Sequence, residues 1–339
     1  MKFDFIIGNP PYQDESQRNN GYASPIYNLF LEDSYKLARN VILIHPARFL
    51  FNAGSTPKAW NEKMLNDPHL KVVYYNKDSS EVFTNADIKG GVAVTYRDSE
   101  RELGPIDTFT AYEELNGILS KVKRVIISSL SDICYVTPKF DYDGLITDHP
   151  ECSSLLKERR LATNVFDILS GIVFFSEKPN DGNDYIRVYG RRNNIREYMW
   201  IKKAYIEIPD NLSSYKLFLP KVNGNGTFGE TITDPVVGAI NDINTHTFMS
   251  IGSFANQEEA LAALKYIKTK FARAMLGVLK ITQHNSNECW RYVPLQDFTL
   301  KSDIDWSQSI SDIDVQLYKK YGLDDKEIEF IESHVKEME

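Results

Sequence analysis

Over its first hundred residues the chain alternates two hydrophobic periods. Short apolar runs bounded by turn residues fall at about 2–7, 40–45, 70–76 and 91–97, and such runs predict strands. Helical spacing separates them. The stretch "SPIYNLFLEDSYKLARN" offers Ser24 as an N-cap, Pro25 at the first helical position, and Ile26, Phe30 and Leu37 near one face. Strand–helix–strand alternation predicts crossover units and a parallel sheet covered on both sides. Beyond residue 99 the alternation stops. Short aromatic-rich strands are expected around 185–190, 198–207 and 215–221, after the loop "SEKPNDGND". A long helix is expected over "NQEEALAALKYIKTKFARAMLGVL", with Leu261, Leu264, Ile267, Phe271, Met275 and Val278 forming a core stripe. A last short helix, capped by Asp324 or Asp325, should turn Ile328, Ile331 and Val335 inward. The fold class read from this pattern is α/β: a partial doubly wound sheet over residues 1–108, then a mixed α+β domain over 109–339.

The first strand ends unusually. In "FDFIIGNPPY" two prolines follow Gly8 and Asn9, so the ladder must stop and the chain turns a stiff corner. That corner presents the Asn9 amide, the Pro10 carbonyl and the Tyr12 ring. Both oxygens can accept hydrogen bonds from the amino group of a planar heterocycle while an aromatic ring covers its face, which is how a flipped base is held. The bland alternative is a strand ending in a proline turn with a buried tyrosine.

The segment Asn9-Pro10-Pro11-Tyr12 after an apolar strand resembles the catalytic motif of amino-methylating DNA methyltransferases, in particular the adenine-specific members of restriction-modification systems. "EVFTNADIKGGVAVTYRD", residues 81–98, resembles a later motif of that family, in which Phe83 would contact the flipped base. "NVILIHPARFL" resembles the intervening strand and loop, and the chain from residue 110 resembles, more diffusely, a target-recognition region. The resemblance implies methyl transfer from S-adenosylmethionine to the exocyclic amino group of adenine in duplex DNA. Such a displacement asks for orientation of the amino group rather than a covalent nucleophile.

The chain has 339 residues and a formal net charge of −8, which on its face disfavours a phosphate-rich partner. Its distribution changes that. Residues 302–339 hold eleven acidic and four basic side chains, leaving the rest near neutral. Within the rest, "YIRVYGRRNNIREYMWIKK" interleaves aromatics with basic residues. Arg191, Arg192, Arg196, Lys202 and Lys203 are the candidate DNA-facing set, against the alternative of a solvated strand face. Cys134, Cys152 and Cys289 lack metal or disulfide spacing. The six histidines lack spaced partners, and no metal site is expected. No apolar run spans a membrane and no leader is evident, so a cytoplasmic location is expected.

A glycine-rich cofactor turn should precede the Asn-Pro-Pro-Tyr segment, yet only eight residues do. "NGNGTFGE" and "SIGSF" are poor substitutes. The expectation is therefore a catalytic half that is inactive alone, with an open strand edge that pairs with a polypeptide or domain carrying the cofactor half or with a second copy; a truncated chain, one subunit of a split enzyme and a remnant that keeps DNA or protein binding all remain open. Two other readings stand beside it. One is a DNA-specificity subunit without catalysis. The other is a metal-dependent nuclease using Asp67 with Asp87-Ile88-Lys89.

Overall fold

The computed structural model describes residues 3–14, 24–52, 55–83, 88, 90–280 and 282–339. The chain divides into two compact units, Met1–Asn116 and Gly117–Glu339.

The first unit contains β1 (Phe3–Gly8), α1 (Tyr27–Leu37), β2 (Ala38–Pro46), α2 (Lys58–Leu65), β3 (Leu70–Asn76) and β4 (Val92–Asp98). The four strands form one sheet in the order β1-β2-β4-β3. β1 pairs parallel with β2, Phe3 opposite Ala38 and Gly8 opposite Leu43. The expectation of a parallel sheet fails at β4, which runs antiparallel to both β2 and β3. The connection from β3 to β4 contains, in its described part, only a short 3-10 turn at Ser79–Glu81. Without a crossover helix the strand returns alongside its predecessor in the opposite sense.

Coverage on both faces fails as well. Val41, Leu43 and Ala93 share one core cluster with Tyr27 and Leu31 of α1 and with Trp60, Met64 and Leu65 of α2, so both helices lie on the same side of the sheet. The opposite face of β1 carries Phe3, Phe5 and Ile7 at 50, 64 and 73% exposure. Ile42, Ile44, Val94 and Tyr96 continue that face half-buried. Among the described residues β1 is also an edge, hydrogen-bonded only to β2.

The start of α1 differs from expectation. The helix begins at Tyr27 and Ile26 is its N-cap, without a side-chain cap. Ser24 and Pro25 instead belong to a backbone clasp: Asp14 N donates to Ser24 O at 2.9 Å and Ile26 N to Tyr12 O at 3.1 Å. That two-residue shift rotates the buried stripe onto Tyr27 and Leu31, leaving Phe30 and Leu37 at 44 and 45% exposure.

The division between the units falls within α3 (Glu113–Val125). The second unit then runs β5 (Cys134–Tyr135), β6 (Lys139–Phe140), α4 (Tyr142–Asp148), α5 (Cys152–Leu155), α6 (Val165–Leu169), β7 (Tyr185–Arg192), β8 (Ile195–Lys202), β9 (Ile206–Glu207) and β10 (Tyr215–Pro220). It continues with β11 (Val236–Gly238), β12 (Asp242–Asn244), β13 (Phe248–Phe254), α7 (Gln257–Lys268), α8 (Lys270–Gly277), α9 (Ile310–Tyr321) and α10 (Asp325–His334). The strands form sheets β11-β10-β13-β5, β12-β7-β8 and β6-β9. One face of the β7–β8 hairpin, through Ile186, Val188, Met199 and Ile201, builds a core with Phe140, Leu145, Phe166 and Phe174. Its other face meets the larger sheet where Tyr189 packs on Phe218 and Phe248.

The long helix expected over 256–279 is two helices, α7 and α8. The break is at Thr269, whose extended ψ of 150° ends α7 and whose hydroxyl accepts from Ala272 N at 3.1 Å. The buried Asp314 of α9 accepts from Lys270 N at 2.9 Å and Phe271 N at 2.8 Å, which satisfies amides that a continuous helix would have bonded internally. Leu261 is consequently exposed, while Phe271 and Met275 are buried as expected. No described helix is long and apolar enough to cross a membrane.

Candidate active site

The corner after β1 is built by the two prolines. Asn9 is exposed and Pro10 half-buried just beyond the last ladder residue. Among the described residues no hydrogen bond reaches the Pro10 carbonyl. Tyr12 is anchored from behind: its carbonyl accepts from Ile26 N, and its ring joins Ile6 against the helix-side core. Burial raises its hydroxyl pKa, which the approaching Asn9 side chain only partly offsets. That hydroxyl is enclosed without a well-formed hydrogen bond, and an enclosed, poorly satisfied donor is costly enough to require a reason.

Phe83 comes to this corner from the connection between β3 and β4. Its ring meets Tyr12 edge-on, centroids 6.4 Å apart at 65°. Two segments distant in sequence thus place an aromatic pair beside the Asn9 amide and the Pro10 carbonyl. Ser79, unnoticed in the sequence, positions Phe83. Its carbonyl accepts from Phe83 N at 2.9 Å and its hydroxyl from Ile88 N at 2.8 Å, so one buried residue holds both ends of the intervening segment. Asp78 caps the same turn through Ser80 N. The signal was present in "KDSSE", since Asp and Ser side chains nucleate such turns. The turn closes on Gly90 and Gly91, both at positive φ; a Cβ on Gly90 would lie 2.7 Å from Arg48 Cγ, and one on Gly91 would strike the Asn76 carbonyl.

His45, in β2, is fully enclosed, with Nε2 2.9 Å from Thr95 Oγ1 and Nδ1 3.1 Å from the Pro46 carbonyl. Burial lowers its pKa to about 4, so it is a neutral structural group. Asp67 is spoken for by Arg97 at 2.7 Å. Asp87 and Lys89, the rest of the nuclease reading, lie outside the described residues.

Residues 1–83 match the family described as Eco57I restriction-modification methylase. An uncharacterized adenine-specific methylase of Mycoplasma pneumoniae is 32% identical over 95 residues, which cover 27% of this chain and 22% of the relative. The solved structure of the type IIL restriction-modification enzyme MmeI in complex with DNA aligns over 98% of this chain and 56% of that one, at 12% identity and a TM-score of 0.37. The chain thus spans about a fifth of the curated relative and just over half of the solved chain.

Beyond the matched residues, the five basic residues singled out on β7–β8 are distributed unevenly. The strands pair antiparallel through Asn193 and Asn194, both at positive φ, as a two-residue hairpin turn requires. Arg191 stands directly opposite Arg196 at the hairpin tip, both exposed, with no ion pair to either among the described residues. Like charges placed opposite each other destabilise a sheet unless an anion joins them. Arg192 lies on the other face and pairs with Glu197 at 2.6 Å. Lys202 sits at the far end over the Tyr205 ring, and Lys203 is 3.6 Å from Asp184. On the aromatic face Arg187 is neutralised by Asp242 through contacts of 2.8 and 2.7 Å.

Proposed function

We propose that the first unit holds the acceptor adenine of a DNA methyltransferase, and that the second unit binds the duplex and reads its sequence. The observation that carries this reading is the corner itself: the exposed Asn9 amide and the Pro10 carbonyl, unbonded among the described residues, stand beside the Tyr12–Phe83 aromatic pair. An adenine amino group has two N–H donors, and those two acceptors would take both, drawing the nitrogen lone pair out of conjugation toward an incoming methyl group. Tyr12 and Phe83 would bound the ring, fixing its orientation. On this reading the sheet, covered by helices on one face here, is part of the doubly wound sheet of such enzymes.

The donor chemistry of S-adenosylmethionine belongs to the family, but the described residues fit it poorly. Among the described residues no glycine-rich turn follows an apolar strand beside Asn9, and β1 has no neighbour on its outer edge. We therefore assign the donor site to a further polypeptide segment that pairs with β1 and covers Phe3, Phe5 and Ile7. Arg191 and Arg196 would carry phosphate or base contacts of the recognition unit.

The test is methylation of an adenine-containing duplex by the chain mixed with a polypeptide bearing the cofactor turn. Asn9→Ala should abolish transfer while duplex affinity stays within about twofold. Full transfer by the Asn9→Ala protein would refute the acceptor site.

A further inference from the structure

A second cluster of nitrogen donors lies in the second unit, away from the hairpin tip in sequence. Four backbone segments meet there, each bonded to the next. His246 N donates to Leu161 O at 2.7 Å, Leu161 N to Pro138 O at 3.0 Å, and Lys221 N to Thr247 O at 3.0 Å. This frame brings together Thr137, Arg160, Lys221 and His246. Lys221 Nζ lies 2.9 Å from Thr137 Oγ1 and 2.8 Å from His246 Nδ1.

Donors outnumber acceptors in this cluster. A lysine ammonium donating to Nδ1 leaves the imidazole proton on Nε2, and that proton has no partner among the described residues. Arg160 Nε is buried and also unbonded. Among the described residues Glu158 alone answers the charge, 2.8 Å from Arg160 Nη2 and itself exposed. The neighbouring charged groups add to the surplus: Lys139 bridges Arg160 through the backbone, and Arg159 lies over the Tyr142 ring. Burial, followed by the charge of Arg160, lowers the Lys221 pKa to about 8. Burial, then Lys221 and Arg160, lowers that of His246. Crowding cations at a part-buried position is unfavourable unless an anion completes the set.

We propose that Arg160, Lys221 and His246 form a phosphate-binding site that grips one phosphodiester of the DNA backbone. The three residues donate from different strands and loops of the unit toward an acceptor with several oxygens, the chemistry of a phosphate. Such a contact carries no sequence information but fixes the register of the duplex on the recognition unit. This assignment rests on the reading of that unit as DNA-binding.

The experiment uses the full chain and two probes. Titration with inorganic phosphate and then with the dinucleotide dTpdT, followed by NMR of the His246 ring, should give a saturable shift that is absent in Lys221→Gln. Binding of duplex DNA should lose about one unit of slope of log affinity against log salt in Arg160→Gln and in Lys221→Gln, equally for all sequences. Glu158→Gln, an exposed and conservative change, should raise affinity for both probes and guards against misfolding of the other variants. A His246 ring that ignores both probes overturns the site. So does a salt slope unchanged in the variants while the wild-type chain binds duplex. A ring that responds to inorganic phosphate alone makes the site one for free phosphate and overturns the backbone assignment. If dTpdT shifts the ring and the wild-type chain fails to bind duplex, the site stands and the reading of the unit falls.

Discussion

The Tyr12 and Phe83 rings meet edge-to-face at 6.4 Å, although 70 residues separate them in the chain. Each is held by backbone hydrogen bonds from its own side, Tyr12 by Ile26 and Phe83 by Ser79. On the proposed reading of the corner, removing either ring should therefore weaken capture of a flipped base without unfolding the unit. In the assembled enzyme, Tyr12→Ala or Phe83→Ala is expected to cost about 1–3 kcal/mol of base binding, the usual worth of one stacking platform. Fluorescence of 2-aminopurine at the target position measures this directly. An unchanged signal in both variants would remove the pair from the site.

Ser79 offers a subtler perturbation. Ser79→Ala keeps the carbonyl bond to Phe83 N but deletes the hydroxyl that accepts from Ile88 N. A lost hydrogen bond of this kind costs about 1–2 kcal/mol. Hydrogen exchange at Ile88 should accelerate, and transfer should fall several-fold with affinity for duplex unchanged. Unaltered exchange at Ile88 would show that the turn does not depend on the hydroxyl.

Acid should destabilise the first unit through His45. Its folded pKa, about 4, is depressed from the ordinary 6.5 by burial. The unfolded chain therefore takes up the proton first. The His45 contribution is complete above about pH 6.5 and lost as the pH falls from there toward 4, on the order of 3 kcal/mol in all. His45→Phe, which cannot take up a proton, should shrink the fall in thermal midpoint across that window. Equal falls in both proteins would exclude the histidine as its source.

The hairpin tip predicts a division among the basic residues. Arg191→Gln and Arg196→Gln should each reduce the salt slope of duplex binding by about one unit. Arg192→Gln should leave the slope alone and cost stability instead, since its partner Glu197 would remain unpaired. Fluorescence anisotropy at several salt concentrations, beside denaturant melts, separates the two responses. A salt slope that ignores both Arg191 and Arg196 leaves the tip a solvated surface.

The strands of the first unit were legible because each is a compact apolar run between turn residues, and their limits agree with the sequence reading to within two residues. Strand direction was not legible, because it depends on whether the connection between β3 and β4 contains a crossover helix, and "KDSSEVF" gives no helical period to decide it. The buried face of α1 was misread for a different reason. Pro25 looked like a helix start, but a clasp to the Tyr12 loop claimed it, and a shift of two residues turns a helix by more than half a revolution. Thr269 was hidden inside an unbroken apolar stripe because the feature that ends α7 is Asp314, a partner 45 positions away. The corner was legible from two prolines and their neighbours. Arg160, Lys221 and His246 were not, since their only link is three-dimensional.

The bare edge of β1 has a consequence for gene dosage. A strand docking there would lie about 4.8 Å from β1, which ends one residue before Asn9, so assembly and competence would be decided at one place. A second copy of β1 is as apolar as any partner and would occupy the same edge. Were the donor segment a separate polypeptide, copies lost to self-pairing would have to be made up, and the yield of competent enzyme would rise more gradually with the amount of this chain than pairing with the partner alone would give.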